Sequence, residues 1–244
     1  MSLRIVVLQH ERQTGLGMFA ALLDHAHVDY EVVETLRGPP PDDASFDGAI
    51  ALGGSLNVYD ARLLETRRWI RNRVLVGLPF LGISLGGQLL ASALGAGIER
   101  QAQPELGVHD VYLTDAARRD PLFYGLPRRL TVFGWHKDCF ELPPGAVPLA
   151  GSIACTCQAF RFDAAAYGLQ FHPEVRAADL PSWAHFGGYR SQLDAADVSP
   201  EHLAGEFERA APELGRLARQ LLERWVELVS RVAAFGERQL GEAV

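Results

Sequence analysis

The stretch that most constrains this chain runs from Pro79 to Ala91: Pro-Phe-Leu-Gly-Ile-Ser-Leu-Gly-Gly-Gln-Leu-Leu-Ala. An apolar run ends at Ile83, and a helix-forming run, Gln88 to Ala91, follows almost at once. Between them sits Ser84, flanked by Gly82 and Gly86. A nucleophile-type residue between two glycines, at a sharp strand-to-helix turn, is the nucleophile-elbow pattern. The glycines have a steric reason, because so tight a turn leaves no room for Cβ atoms beside the nucleophile. The residue at the tip is held strained and points into a cleft. It also stands at a helix N-terminus, which favours developing negative charge. Taken alone, the pattern equally fits an ordinary glycine-rich turn. It carries chemistry only if a base, an orienting acid and an oxyanion hole lie elsewhere in the chain.

The flanking sequence predicts an α/β fold. Arg4 to Gln9 is a β-branched apolar run, as in a buried parallel strand. A helix from Thr14, its N-cap, to about Ala26 follows, then strands at Tyr30–Thr35 and Ala49–Leu52, with a loop at 38–43 between them. Arg62 to Val76 reads as a helix burying Leu63, Trp69, Ile70 and Val74, with Arg67, Arg68, Arg71 and Arg73 on a solvated face. This alternation predicts a mostly parallel sheet with helices on both faces. Ligands bind such sheets beyond the carboxyl ends of the strands, where Gly53-Gly54 and Ser84 both fall. Short strands at Val108–Thr114, Leu130–Phe133, Ala159–Asp163 and Tyr167–Phe171 predict an antiparallel extension. Helices starting at Ser199-Pro200-Glu201 and at Pro212 complete the chain. The second carries an apolar stripe from Leu214 to Val232 that should pack on the sheet. The expected division is a domain at 1–190 and a helical extension at 191–244.

Composition narrows the classes. The 244 residues are 48% hydrophobic and 22% charged, with a net charge of −7, as in a soluble globular protein. The acidic balance, with no Lys/Arg cluster interleaved with aromatics to offset it, argues against a nucleic-acid surface. No run approaches a membrane span, and Ile5 to Leu8 is too short for a leader. Three cysteines, Cys139, Cys155 and Cys157, suggest a reducing, cytoplasmic setting. Cys155-Thr-Cys157 has no second ligand pair at metal-binding spacing and reads as strand cysteines, so no metal and no cofactor are expected.

The missing chemical partners have candidates. His172 and Glu174 close the strand ending at Phe171, and residues two apart on a strand share a face. One can serve as base while the other orients its ring. Gly53-Gly54 offers backbone N–H groups without side chains, and Leu85 offers another just after the nucleophile. Two such donors aimed at one point form an oxyanion hole. Gln88, one helical turn after Ser84, should face the same cleft. Trp135-His136-Lys137-Asp138 follows another strand end, so His136 or Asp138 could line the cleft as readily as form a plain loop.

Together these segments resemble a class I glutamine amidotransferase domain. The resemblance rests on Gly53-Gly54, Asn57-Val58-Tyr59, the elbow, Trp-His-Lys-Asp at 135–138 and Tyr-Gly-Leu-Gln-Phe-His-Pro-Glu-Val at 167–175. It covers residues 3 to 190 and is closest to the free-standing group related to the glutaminase domain of GMP synthase. It implies a flavodoxin-like sheet. In that family the elbow residue attacks the side-chain amide of glutamine, ammonia leaves and a glutamyl thioester is hydrolysed. The resemblance places the nucleophile at Ser84, the base at His172 and the orienting acid at Glu174. It places the oxyanion donors at Gly54 and Leu85 and a glutamine contact at Gln88; Gly53, His136 and Asp138 are the further substrate-binding candidates. L-glutamine or a γ-glutamyl compound would be the substrate; either a separate synthase would accept the ammonia, or there is no acceptor and the chain would act as a hydrolase on a γ-glutamyl compound.

The chain departs from that family at the centre, where Ser84 replaces the family's cysteine. A thiol with an ordinary pKa near ~8.5 can be driven to thiolate by a histidine and a helix N-terminus, whereas a hydroxyl cannot. Three accounts stay open: an introduced Cys→Ser change, a degenerate enzyme kept as a binding or regulatory module, or a serine hydrolase on this scaffold. The first two both give an attenuated or absent glutaminase step.

Overall fold

The computed structural model describes residues 2–41 and 45–242, the side chains of 236–242 excepted. Asp42 and Asp43, part of the loop expected at 38–43, lie outside the described residues. In chain order the elements are β1 (Arg4–Gln9), α1 (Met18–His25), β2 (Asp29–Glu34), β3 (Gly48–Ala51), α2 (Leu64–Leu75), β4 (Phe80–Ile83) and α3 (Leu85–Ala93). Then come β5 (Ile98–Leu113), β6 (Arg129–Phe140), β7 (Val147–Gly151), β8 (Ala159–Phe162) and β9 (Ala166–Leu169). Three helices close the chain: α4 (Leu180–His185), α5 (Gly187–Ala196) and α6 (Pro200–Glu242).

Among the described residues the strands form one sheet, ordered β2-β1-β3-β4-β9-β8-β7-β5-β6. The β2-β1-β3-β4-β9 half is parallel and the remainder antiparallel. Alternation along the parallel strands fills both faces. Ile5, Val7, Ile50, Leu81 and Ile83 pack under α1 and α6, with Leu217, Leu221, Leu222, Trp225 and Val229 of the α6 stripe. Val6, Leu8, Ala49, Ala51 and Phe80 face the other way, under α2 and α3. This is the α/β sheet flanked by helices that the alternating pattern predicts.

Several local expectations need correction. Helix α1 begins at Met18, not Thr14, with Gly17 at its N-cap in a left-handed conformation, φ 52°. A Cβ at Gly17 would overlap the Glu174 carbonyl oxygen, which accepts from the Met18 N–H at 2.7 Å. Thr14 instead ties two loops together, its Oγ1 donating toward Glu11 O and Gly53 O, each at 3.0 Å. Strand β5 starts ten residues earlier than the apolar pattern suggests, since its ribbon-like first part pairs only with β6 and carries polar side chains. Strand β7 was not expected, because the Pro-Gly turn at 143–145 obscures it. Strand β6 runs through Phe140, so Trp135 to Cys139 lie in a strand and not in a loop after one. Strand β9 ends at Leu169, so His172 and Glu174 stand beyond it. Pro212 starts no helix but sits inside α6. Cys155 and Cys157 lie between β7 and β8, and Cys155 is disulfide-bonded to Cys139. That pairing withdraws the argument from cysteine count to a reducing compartment. Among the described residues no helix is long and apolar enough to cross a membrane.

Just past β1, His10 is 3% exposed, with Nδ1 2.8 Å from Thr35 Oγ1. Burial pushes its pKa down from 6.5 to about 4. The unfolded ring takes up its proton near the ordinary value and the folded ring resists, so stability is whole above the ordinary pKa and declines as pH falls toward about 4. The full loss is about 3 kcal/mol. Denaturant melts across this window should show the decline, and His10→Asn should flatten it. An unchanged pH profile in the variant would remove His10 from the account.

Candidate functional site

The elbow has the geometry its glycines demand. Ser84 is the N-cap of α3 at φ 50° and ψ −110°, a strained conformation for a residue with a side chain. Its N–H donates to Leu169 O on neighbouring β9 at 2.7 Å, and its carbonyl accepts from the Gln88 N–H at 2.9 Å. These bonds fix the turn from both sides. A Cβ at Gly82 would lie 2.7 Å from the Gly86 carbonyl carbon, and one at Gly86 would lie 2.6 Å from that of Ala51. The first turn of α3 is therefore wedged against β3 and β4, backbone on backbone.

His172 and Glu174 meet although neither is in a strand. His172 Nδ1 is 2.8 Å from Glu174 Oε1, and both side chains are buried. The loop that carries them is pinned twice. His172 N–H donates to Phe133 O at 2.8 Å, and Glu174 O receives the Met18 N–H. The far nitrogen, Nε2, is buried and has no hydrogen-bond partner among the described residues. A Cβ placed on Gly53 would stand 2.7 Å from His172 Cε1 and 3.5 Å from Ser84 Cβ. The imidazole and Ser84 thus flank one gap, kept open by the absence of a side chain at 53. Trp183 of α4 closes the other side of the ring, edge to face at 5.0 Å between centroids. Trp183 is itself held by its Nε1–H to Gln13 O at 2.8 Å and by stacking on Tyr189.

Gly53-Gly54-Ser55 is anchored as a loop. Glu11 accepts from the Ser55 N–H at 2.6 Å and from the Ser55 hydroxyl at 2.9 Å, while Thr14 holds the Gly53 carbonyl. A Cβ at Gly54 would be 2.9 Å from Leu85 Cδ2, so the two residues are neighbours across the cleft. Among the described residues no acceptor is found for the N–H of Gly54 or of Leu85. Glu11 and Trp183 were not candidates on sequence. Glu11 follows β1 by two residues, at the carboxyl end where such sites collect, and Trp183 falls on the apolar spacing Leu180, Trp183, Ala184.

Gly54, Ser84, Gln88, Arg100, His136 and Asp138 line one cleft. Gln88 is buried, and its Nε2 donates to Asp138 O at 3.3 Å and to Gln170 Oε1 at 3.4 Å. The Asp138 carboxylate pairs with Arg100 at 3.3 Å. The His136 ring does not join the Ser84 group: its Nε2 lies 3.3 Å from Glu105 Oε2.

A buried His–Glu pair beside a strained elbow, near a ring nitrogen and two N–H groups that find no partner among the described residues, suits acyl transfer. The family profile of Glutamine amidotransferase class-I matches residues 18–180. The chain belongs to this family. Among class I amidotransferase relatives, the glutamine-hydrolyzing GMP synthase of Staphylococcus carnosus is 33% identical over 163 residues, 66% of this chain and 29% of that protein. This chain thus spans under a third of that relative's length. A glutamine-hydrolyzing GMP synthase subunit from Methanoculleus marisnigri is 33% identical over 164 residues, 65% of this chain and 84% of the relative. The crystal structure of a glutamine amidotransferase from Thermotoga maritima superposes with a TM-score of 0.83 at 30% identity, covering 93% of this chain and 99% of that one. One from Methylobacillus flagellatus gives 0.82 at 27% identity, over 93% and 96%.

Proposed function

We propose that the cleft at Ser84 is a glutamine site built for hydrolysis of the side-chain amide, with the chemical step attenuated by serine at the attacking position. The observation that carries this is the buried His172–Glu174 pair, its Nε2 unpartnered, flanking the same gap as Ser84. In this mechanism residue 84 attacks the amide carbon while its proton passes to His172 Nε2. Glu174 holds Nδ1–H and stabilises the imidazolium. The N–H groups of Gly54 and Leu85 receive the developing oxyanion. His172 returns the proton to the leaving nitrogen, ammonia departs, and water resolves the acyl group. Gly53 leaves room for the substrate, and Gln88, with Asp138 and His136 on the cleft wall, bounds it. The site needs no cofactor. A separate synthase chain would accept the ammonia, in keeping with the Methanoculleus relative, which is one subunit of a synthase.

The serine at the elbow favours one second reading, a serine hydrolase. Two measurements separate them. Calorimetric titration of the chain with L-glutamine should give saturable binding, with little glutamate released. A fluorophosphonate should leave Ser84 unlabelled, and nitrophenyl esters should not be turned over. Labelling of Ser84 with ester turnover would install the serine hydrolase instead.

A further inference from the structure

We propose that Glu105, His109 and His136 form a binding site for a divalent transition-metal ion, best suited to Zn²⁺, on the β5–β6 ribbon beside the cleft. It shares His136 with the cleft wall but does not rest on the glutamine reading. The register builds it. Glu105 of β5 pairs directly with His136 of β6, and His109 lies four residues along β5, so all three side chains share one face. Gly107 pairs with Gly134 between them. A Cβ at Gly134 would overlap the His109 ring, so glycine there lets that ring lean over the ribbon toward His136.

The donor atoms converge. His136 Nε2 is 3.3 Å from Glu105 Oε2, and His109 Nε2 is 3.7 Å from Glu105 Oε1. The three ligand atoms all lie within 4.8 Å of one another. Ligands bound to zinc tetrahedrally at ~2.0–2.1 Å stand roughly 3.3–3.4 Å apart, so closing the set needs only a small shift of the two rings. Two imidazoles and a carboxylate leave a fourth position open.

Two of the three ligands are oriented from behind. His109 Nδ1 faces Gly107 O at 3.3 Å, which places the proton on Nδ1 and leaves the Nε2 lone pair toward the cluster. Glu105 Oε1 accepts from Ser152 Oγ at 2.7 Å and Oε2 from Gln158 Nε2 at 2.6 Å. His136 is 4% exposed, and neither of its ring nitrogens makes a hydrogen bond among the described residues; His109 Nε2 is likewise buried and unbonded. Buried polar atoms are seldom left so, and an ion at the centre satisfies the two Nε2 atoms together. The Glu105 and His109 side chains keep 13% and 19% of their surface exposed, which gives the ion a way in.

The test is calorimetric titration of the chelator-stripped full chain with Zn²⁺. The expected result is one site per chain of micromolar affinity or tighter. Glu105→Gln and His109→Ala should each weaken it by about a hundredfold, and Ser152→Ala by about tenfold. The thermal midpoint of the metal-free variants, measured alongside, should stay near that of the unaltered chain. Co²⁺ in place of Zn²⁺ should give visible absorption bands of a four-coordinate ion on the unaltered chain, lost in His109→Ala. The exposed His202–Glu206 pair of α6 is the obvious rival. His202→Ala should leave the affinity unchanged. Absence of stoichiometric uptake, undiminished affinity in Glu105→Gln and His109→Ala, or loss of binding in His202→Ala would overturn the proposal.

Discussion

Ser84→Cys is expected to raise the release of glutamate and ammonia from glutamine by orders of magnitude, roughly a thousandfold or more. On the proposed reading the other parts surround residue 84: the buried His172–Glu174 pair, a ring Nε2 and the N–H groups of Gly54 and Leu85 that find no partner among the described residues, and the N-terminus of α3. A thiol there is ionised by groups already positioned, whereas the serine hydroxyl must lose its proton during attack. Groups that act as a unit fail together, so His172→Ala added to Ser84→Cys should return the rate close to that of the chain with Ser84. Glu174→Gln in the same background should lower the rate with little change in glutamine affinity, since Glu174 acts on the imidazole alone. Steady-state assay of glutamate across the four proteins checks this series. Comparable turnover with serine and cysteine at 84 would contradict it.

Gly86→Ala should be strongly destabilising for a single added methyl. The new Cβ would overlap the Ala51 carbonyl oxygen and sit 2.9 Å from Ala51 Cβ. Neither can move, because β3 is hydrogen-bonded on both sides, to β1 and to β4. Overpacking against fixed backbone costs on the order of 3 kcal/mol. For a chain of this length that lowers the thermal midpoint by roughly 6–12 °C. Gly215→Ala is the matched contrast. Gly215 lies inside α6, and a Cβ there meets no heavy atom within 4 Å. Relieving a helix-interior glycine should stabilise the chain by about 0.5–1 kcal/mol. Thermal melts of the two variants should therefore move in opposite directions. A Gly86→Ala protein that melts with the unaltered chain would mean that α3 is not wedged against the sheet.

What is legible in the sequence follows the range of the interactions. The elbow is a local object, and the requirement for glycine at 82 and 86 can be read from thirteen residues. The alternation of Ile5 and Val7 with Val6 and Leu8 is local too, and it carries the two-faced sheet. Pairing between distant strands leaves weaker marks. Half of the first ten residues of β5 are polar, since their ribbon stands partly in solvent, so apolar pattern misses them. His136 looks like a residue after a strand end, yet β6 continues under it and turns its ring toward Glu105, a partner 31 positions away that no motif connects. The Cys139–Cys155 bridge spans a separation of 16 and is invisible to a count of three cysteines. His172 and Glu174 meet for a reason other than strand alternation: the loop after β9 is held by Phe133 and Met18. Glu11 and Thr14 matter through the loops they fasten, and spacing does not announce such roles.

The central claim is that residue 84 is the attacking position of a glutamine amide site. It is tested most directly by treating the Ser84→Cys protein with an electrophilic glutamine analogue and locating the adduct by mass spectrometry. Cys157 supplies an internal control, a buried free thiol whose pKa burial pushes up to about 12. The account predicts one adduct per chain, at residue 84, blocked by excess glutamine and slowed by His172→Ala. An adduct at Cys157 with residue 84 unmodified, or labelling of residue 84 that glutamine does not protect, would contradict it.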